Sequence, residues 1–336
     1  MQLVSTISAI LLGIQLTIPC ALAHTGHDLT VELTERKRWL DTEPRSVKSC
    51  SNELERRGLL SNAIERRRDL FQRNAQDSLV GVQSAKNFAF PPNPTDERLL
   101  FTDNSSCILT PEVQGLGHFI AGEQIRSDIS EGQPGVPLTL EIQIVDVRNC
   151  QPIPGVFVEV YQCNATGVYS GVQAEGNGNA NDASNLYATH GRGIQQTDGE
   201  GVVTSKGIFP GHYYGVAPHI HILTHSSAQP VAPSGEGRNY VQATHNGRIF
   251  FEQDLISQVE GTYPYNTNQQ PLTLNSQDVV LNQEAQVTDP YARYVWMGQR
   301  PEDGVLAWIS VGIDPTVIHP MEYVGNGAGG NGGALP

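Results

Sequence analysis

The run Leu138-Thr139-Leu140-Glu141-Ile142-Gln143-Ile144 alternates apolar and polar side chains. A strand sends successive side chains to opposite faces, so this period of two predicts one buried face and one polar face. Val156-Phe157-Val158-Glu159-Val160-Tyr161 repeats the pattern, with Pro152-Ile153-Pro154-Gly155 as the turn between the two. Farther on, Asp198-Gly199-Glu200-Gly201 turns the chain into a third strand over Val202 to Ile208. Half-buried strands punctuated by Pro and Gly turns predict a mainly β protein, an antiparallel β-sandwich core.

Composition agrees. The 336 residues include 34 Gly and 21 Pro, and charged residues make up 17 %, against about 25 % in an average chain. The formal net charge of −14 excludes a nucleic-acid binder driven by phosphate contacts. With 38 % hydrophobic residues there is apolar material for a sizeable core.

Working outward toward the amino terminus, Met1 to Ala23 is uncharged and ends in Ala21-Leu22-Ala23. It reads as a secretory signal peptide with a small-residue cleavage site. Gln15, Thr17 and Pro19 interrupt it well short of the ~20 apolar residues of a spanning helix, so the mature chain is expected to be exported, extracellular and free of the membrane. Residues 24–86 form a helical leader. Within it, Leu60, Ala63, Ile64 and Phe71 fall on one face of an amphipathic helix over Ser51 to Asn74. Basic residues outnumber acidic ones in this leader while the remainder is acidic, so Arg66-Arg67-Arg68 is read as a face docked on that remainder. Residues 87–94, with Pro91-Pro92-Asn93-Pro94, read as a linker, 95–324 as the sandwich domain and 325–336 as a Gly-rich flexible tail.

Export changes how the cysteines are read. Cys50, Cys107, Cys150 and Cys163 remain after signal removal, an even set that predicts two disulfides in one of three connectivities and no free thiol. The absence of any Cys-x-x-Cys pair argues against zinc. Asn104-Ser105-Ser106 and Asn164-Ala165-Thr166 are glycosylation sequons.

The chemistry concentrates between Gly167 and His225. In His219-Ile220-His221 a strand places both imidazoles on one face, where two neutral rings can converge on one metal ion. Tyr169 follows Gly167-Val168, and Tyr213 follows Pro210-Gly211-His212, both at turns. Two phenolates with two imidazoles suit trivalent iron with positions left open; the competing reading makes both tyrosines core residues. His190, His212, His225 and His245 lie near the site in sequence and are read as residues behind the ligands or on the surface.

Gly167-Val168-Tyr169-Ser170, Arg192-Gly193-Ile194-Gln195 with Thr197-Asp198 and Gly201, Pro210-Gly211-His212-Tyr213 and His219-Ile220-His221 resemble, in order, the motifs of the intradiol ring-cleavage dioxygenases, above all their secreted fungal branch. Cys107-Ile108-Leu109-Thr110-Pro111-Glu112 and Gly304-Val305-Leu306-Ala307-Trp308 extend the likeness, which spans roughly Cys50 to Asp314. The resemblance implies a β-sandwich holding non-haem iron(III) through Tyr169, Tyr213, His219 and His221. It makes Tyr213 the proton acceptor in cleavage of a small aromatic diol by O2 to a muconate-type diacid. It leaves the identity of the diol and the oligomeric state open.

Two positions depart from that pattern. Val216 stands where the family carries an arginine, and Gly115-Leu116-Gly117-His118-Phe119 replaces its Gly-Pro-Tyr-Tyr element. Loss of a preorganised cation costs about 3 kcal/mol of barrier, so turnover is expected to be slow or of altered specificity, and Val216→Arg to raise it. The alternatives are a secreted metal- or phenol-binding pseudoenzyme and a metal-free transthyretin-like structural sandwich.

Overall fold

The computed structural model describes residues 34, 50–79, 106–107, 118–120, 123–174, 176–225, 239–286 and 288–323. The expected signal peptide, linker and tail, and Asn104 itself, lie outside them.

The strands follow the alternation. One sheet is centred on β2 (Pro137–Asp146), flanked on one side by β3 (Gln151–Pro152) and β6 (Val202–Ile208). On its other side runs β11 (Val305–Ile313), which also pairs with β1 (Ser106–Cys107) and β10 (Arg293–Trp296). The second sheet has the order β5-β4-β7-β9, from Arg192–Gln196, Phe157–Tyr161, His219–His225 and His245–Phe250. A separate pair joins β8 (Asn239–Ala243) to β12 (His319–Tyr323). Pairing is mostly antiparallel, but β2 and β11 run parallel, with Leu138 opposite Val305 and Asp146 opposite Ile313. Between the two main sheets lies the core, built from Leu138, Leu140, Ile142 and Ile144 of one and Val158, Val160, Ile220, Ile222 and Ile249 of the other.

The expectation of a polar, half-buried face on β2 needs correction, since all of β2 except Pro137 is buried. The leader covers it. Instead of one helix over 51–74, the leader forms α1 (Ser51–Arg56) and α2 (Leu59–Leu79), divided where Gly58 takes a left-handed φ of 72°. Ile64, Leu70 and Phe71 of α2 pack on Met297, Leu306 and Trp308. The arginine run does dock on the acidic remainder. Arg67 Nε donates to Glu141 Oε1 at 2.7 Å, Arg66 Nε to Glu141 Oε2 at 2.8 Å, and Arg67 lies 5.1 Å over the Trp308 ring. Glu141 and Arg67 are both buried, so removing either partner strands a buried charge at a cost of about 3–5 kcal/mol.

A disulfide joins Cys50 to Cys150, tying the start of α1 to the end of β2 through a cluster with Leu54 and Val145. Bridging residues 100 apart in sequence removes unfolded-state entropy equivalent to about 4–5 kcal/mol. The expectation that every cysteine is oxidised fails at Cys163. It is a buried free thiol whose Sγ contacts Gly211 O at 3.3 Å, and burial pushes its pKa up to about 12, so it packs as a small hydrophobe. The side chain of Cys107 lies outside the description.

Candidate active site

Alternation gives β7 two different faces. Ile220 and Ile222 enter the sandwich core, while His219 and His221 project from the outer face of the four-stranded sheet. Register then brings Tyr161 of β4 and Arg248 of β9 directly opposite His221 from either side, and Arg192 of β5 opposite Tyr161. Arg192, Tyr161, His221 and Arg248 therefore form one row across the sheet. Tyr161 stacks on His221 with centroids 4.2 Å apart and an interplanar angle of 2°, and the Arg192 guanidinium lies 5.3 Å over the Tyr161 ring.

Two turns carry the tyrosines to this row. Gly167 takes φ 79°, and a Cβ there would come within 2.0 Å of His212 O; a Cβ on Gly211 would come within 2.4 Å of Ala165 O. Glycine is thus required on both turns for their backbones to touch. Asn164 Oδ1 accepts from Thr166 N, Thr166 Oγ1 and Val168 N, each at 3.0 Å, so the predicted sequon asparagine builds the Tyr169 turn. Buried Asn177 clamps Tyr169 itself, accepting from its N at 2.7 Å and donating to its O at 2.8 Å. On the other turn, His212 is held by Glu260 Oε1 at 2.8 Å and Gln270 O at 2.9 Å. Burial opposes its protonation, but the Glu260 hydrogen bond, the Gln270 carbonyl and the Glu260 charge together outweigh this and raise its pKa.

All four predicted site residues meet. Ring centroids are 5.4 Å apart for Tyr169 and Tyr213, 5.9 Å for Tyr213 and His219, 4.6 Å for His219 and His221, and 6.0 Å for His221 and Tyr169. These contacts close a ring of four aromatic side chains, all buried. His219 Nδ1 lies 2.7 Å from Ala217 O. A carbonyl only accepts, so Nδ1 carries the proton and the Nε2 lone pair points inward. There it meets His221 Nε2 at 3.0 Å. Burial, reinforced by the Arg248 cation, holds the His219 pKa well below the ordinary histidine value. Burial and then the neighbouring Tyr213 raise that of Tyr169 well above the ordinary phenol value. The result is a neutral imidazole donor beside a phenol that ionises only if a strong cation is supplied. Among the described residues no three His, Cys, Asp or Glu come together, so metal binding here requires the phenols.

Sequence reasoning missed several residues of this neighbourhood. Tyr161 was read only as a strand residue, and Arg248 and Asn177 were not singled out. Alternation around Arg248 beside a His-x-His strand was the available signal. His190, His212, His225 and His245 are all buried, so none is a surface residue; His225 Nε2 meets Glu159 Oε2 at 2.9 Å. Val216, also buried, pairs with Tyr213 across a tight bridge and packs with Phe119, Tyr161, Tyr169 and Tyr213.

Comparison with known proteins finds no matching family model and no matching curated protein. Solved structures do match. An intradiol ring-cleavage dioxygenase from Tetranychus urticae is 27 % identical, over 63 % of this chain and 97 % of that one, with a TM-score of 0.51. A catechol 1,2-dioxygenase from Acinetobacter sp. ADP1 is a looser match at 16 % identity over 82 % of each chain, with a TM-score of 0.37. In its sandwich architecture and its ordered motifs, this chain resembles the intradiol ring-cleavage dioxygenases.

Proposed function

We propose that the protein is a secreted non-haem iron(III) intradiol dioxygenase that cleaves catechol-type aromatic diols with O2, with Tyr169, Tyr213, His219 and His221 as the metal ligands. The observation carrying this reading is the closed ring of two phenols and two imidazoles with the two Nε2 atoms 3.0 Å apart. Phenolate and imidazole donors fit iron(III), and the outward-held proton on His219 Nδ1 leaves its Nε2 ready to bind. Bound iron would lower the phenol pKa values and activate a chelated diol toward O2.

The chain's own residues supply the rest. Tyr213 Oη takes a proton from a diol hydroxyl, and burial, reinforced by Arg248, keeps His219 unprotonated. Buried rings exclude water from the reacting carbons. The bond between the two hydroxylated carbons breaks, and both atoms of O2 enter the diacid. Catechol-dependent oxygen uptake with a muconate-type product tests the reading; an iron-loaded protein that consumes no oxygen with any of a panel of aromatic diols would contradict it. Val216 favours a second reading, a phenol-binding pseudoenzyme, because an apolar side chain fills the place of the family arginine. Under that reading catechol shifts the protein's colour with no oxygen uptake. The Cys50–Cys150 disulfide supports export, and no helix among the described residues is long and apolar enough to cross a membrane.

A further inference from the structure

His118 belongs to the segment in which this chain departs from its relatives' motif, and three features of it are unusual together. Its backbone takes φ 61°, a left-handed conformation that few residues other than glycine adopt and that costs on the order of 1 kcal/mol. Arg192 Nη2, itself anchored on Ser170 O at 2.8 Å, donates to His118 O and holds that conformation. The imidazole lies flat on Tyr169, with centroids 4.4 Å apart and planes within 12°, and meets Tyr213 edge-on at 5.8 Å. Finally, Nδ1 of His118 is buried and has no hydrogen-bond partner among the described residues. A buried polar atom left unsatisfied costs about 1–3 kcal/mol, and this one stands among the rings of the site. While Tyr169, Tyr213, His219 and His221 are buried, His118, in contact with both tyrosine rings, remains partly exposed.

We propose that His118 is a substrate-binding residue, whose ring nitrogen forms a hydrogen bond with one oxygen of the bound aromatic ortho-diol while its ring face rests on Tyr169. This assignment rests on the function proposed above. An imidazole nitrogen donates to an ionised oxygen or accepts from a hydroxyl according to its tautomer, so it serves a diol in either state. A bound diol thereby satisfies the atom that the free protein leaves unpaired. The aromatic wall formed by His118 selects for a planar ligand, and its nitrogen selects for one with an oxygen at the ring edge.

The test is a visible-absorbance titration of the iron-loaded protein with 4-nitrocatechol, alongside iron content and thermal melting. His118→Phe keeps a ring to stack on Tyr169 and removes the nitrogen. It is expected to weaken 4-nitrocatechol binding tenfold or more, with iron content and the colour of the ligand-free protein unchanged. His118→Gly, which suits the left-handed backbone without steric cost, is expected to weaken it at least as much, and it decides the matter if phenylalanine does not fold. Unchanged 4-nitrocatechol affinity in a folded, iron-loaded variant would overturn the assignment of His118 alone. A wild-type protein that takes up no iron would overturn the proposed function and this assignment together.

Discussion

Tyr161 lies flat against His221, its direct cross-strand partner, at a centroid separation of 4.2 Å. Arg192 caps the far partner of the stack by lying over Tyr161 at 5.3 Å. The stack thus helps to fix the orientation of the His221 ring, as the proposed role of a preorganised ligand requires. Tyr161→Leu is expected to lower iron affinity by about 10- to 100-fold, read as faster loss of iron to a chelator. Tyr161→Phe, which keeps the stack, should retain iron like the wild type.

Asn177 organises the Tyr169 turn without any chemistry of its own. Its amide satisfies both Tyr169 N and Tyr169 O and also donates to Val172 O at 2.9 Å. Asn177→Leu leaves the buried Tyr169 N unpaired, while Asn185 Nδ2 still reaches Tyr169 O and Val172 O at 2.8 Å, and should cost about 1–3 kcal/mol, measured by denaturant unfolding. The site should also lose its visible colour in iron-loaded protein, because Tyr169 is no longer aimed.

Comparison of motifs alone makes Val216→Arg an attractive repair, and the burial of Val216 argues for a different outcome. Val216 is 1 % exposed and shares a buried cluster with Phe119, Tyr161, Tyr169 and Tyr213. A guanidinium there overpacks the ring cluster and buries a charge, so the variant should lose about 2–4 kcal/mol of stability and gain no turnover. Thermal melting with oxygen-uptake assays checks this, and a stable variant with faster diol cleavage would contradict it.

Glu123 provides a pH test. Burial raises its pKa from 4.5 to about 7, despite Arg192 Nη1 at 3.4 Å. A raised carboxyl pKa means the folded state holds the proton more tightly, so its contribution is present below pH 4.5 and lost as pH rises through about 7. Glu123→Gln removes that titration. Relative to wild type, the variant should gain stability as pH goes from 5 to 8, by about 2–3 kcal/mol at one pKa unit per 1.36 kcal/mol. Urea unfolding at both pH values measures it; a pH-independent difference would show that Glu123 titrates normally.

Local pattern carried much of this architecture. Alternation located β2, β4 and β7, the Asp-Gly turn located β6, and the His-x-His spacing placed two imidazoles on one face because successive strand residues point to opposite faces. Long-range facts were beyond it. Nothing near Glu141 announces that Arg66 and Arg67 cover it, since the covering helix lies some 75 residues upstream. Parallel pairing of β2 with β11 is likewise a matter of topology. Counting cysteines misassigned Cys163 because a count does not register burial against Gly211. At the site, turn and strand motifs singled out the four rings that meet, whereas Tyr161, Arg248 and His118 enter only through cross-strand register and loop placement.

The account stands on iron bound by the ring of Tyr169, Tyr213, His219 and His221. Iron analysis of the purified, folded protein, paired with its visible spectrum, tests that claim most directly. The prediction is one iron per chain with a phenolate-to-iron charge-transfer band, both abolished by His221→Ala. A folded, colourless wild type that contains no iron and takes up none would contradict it.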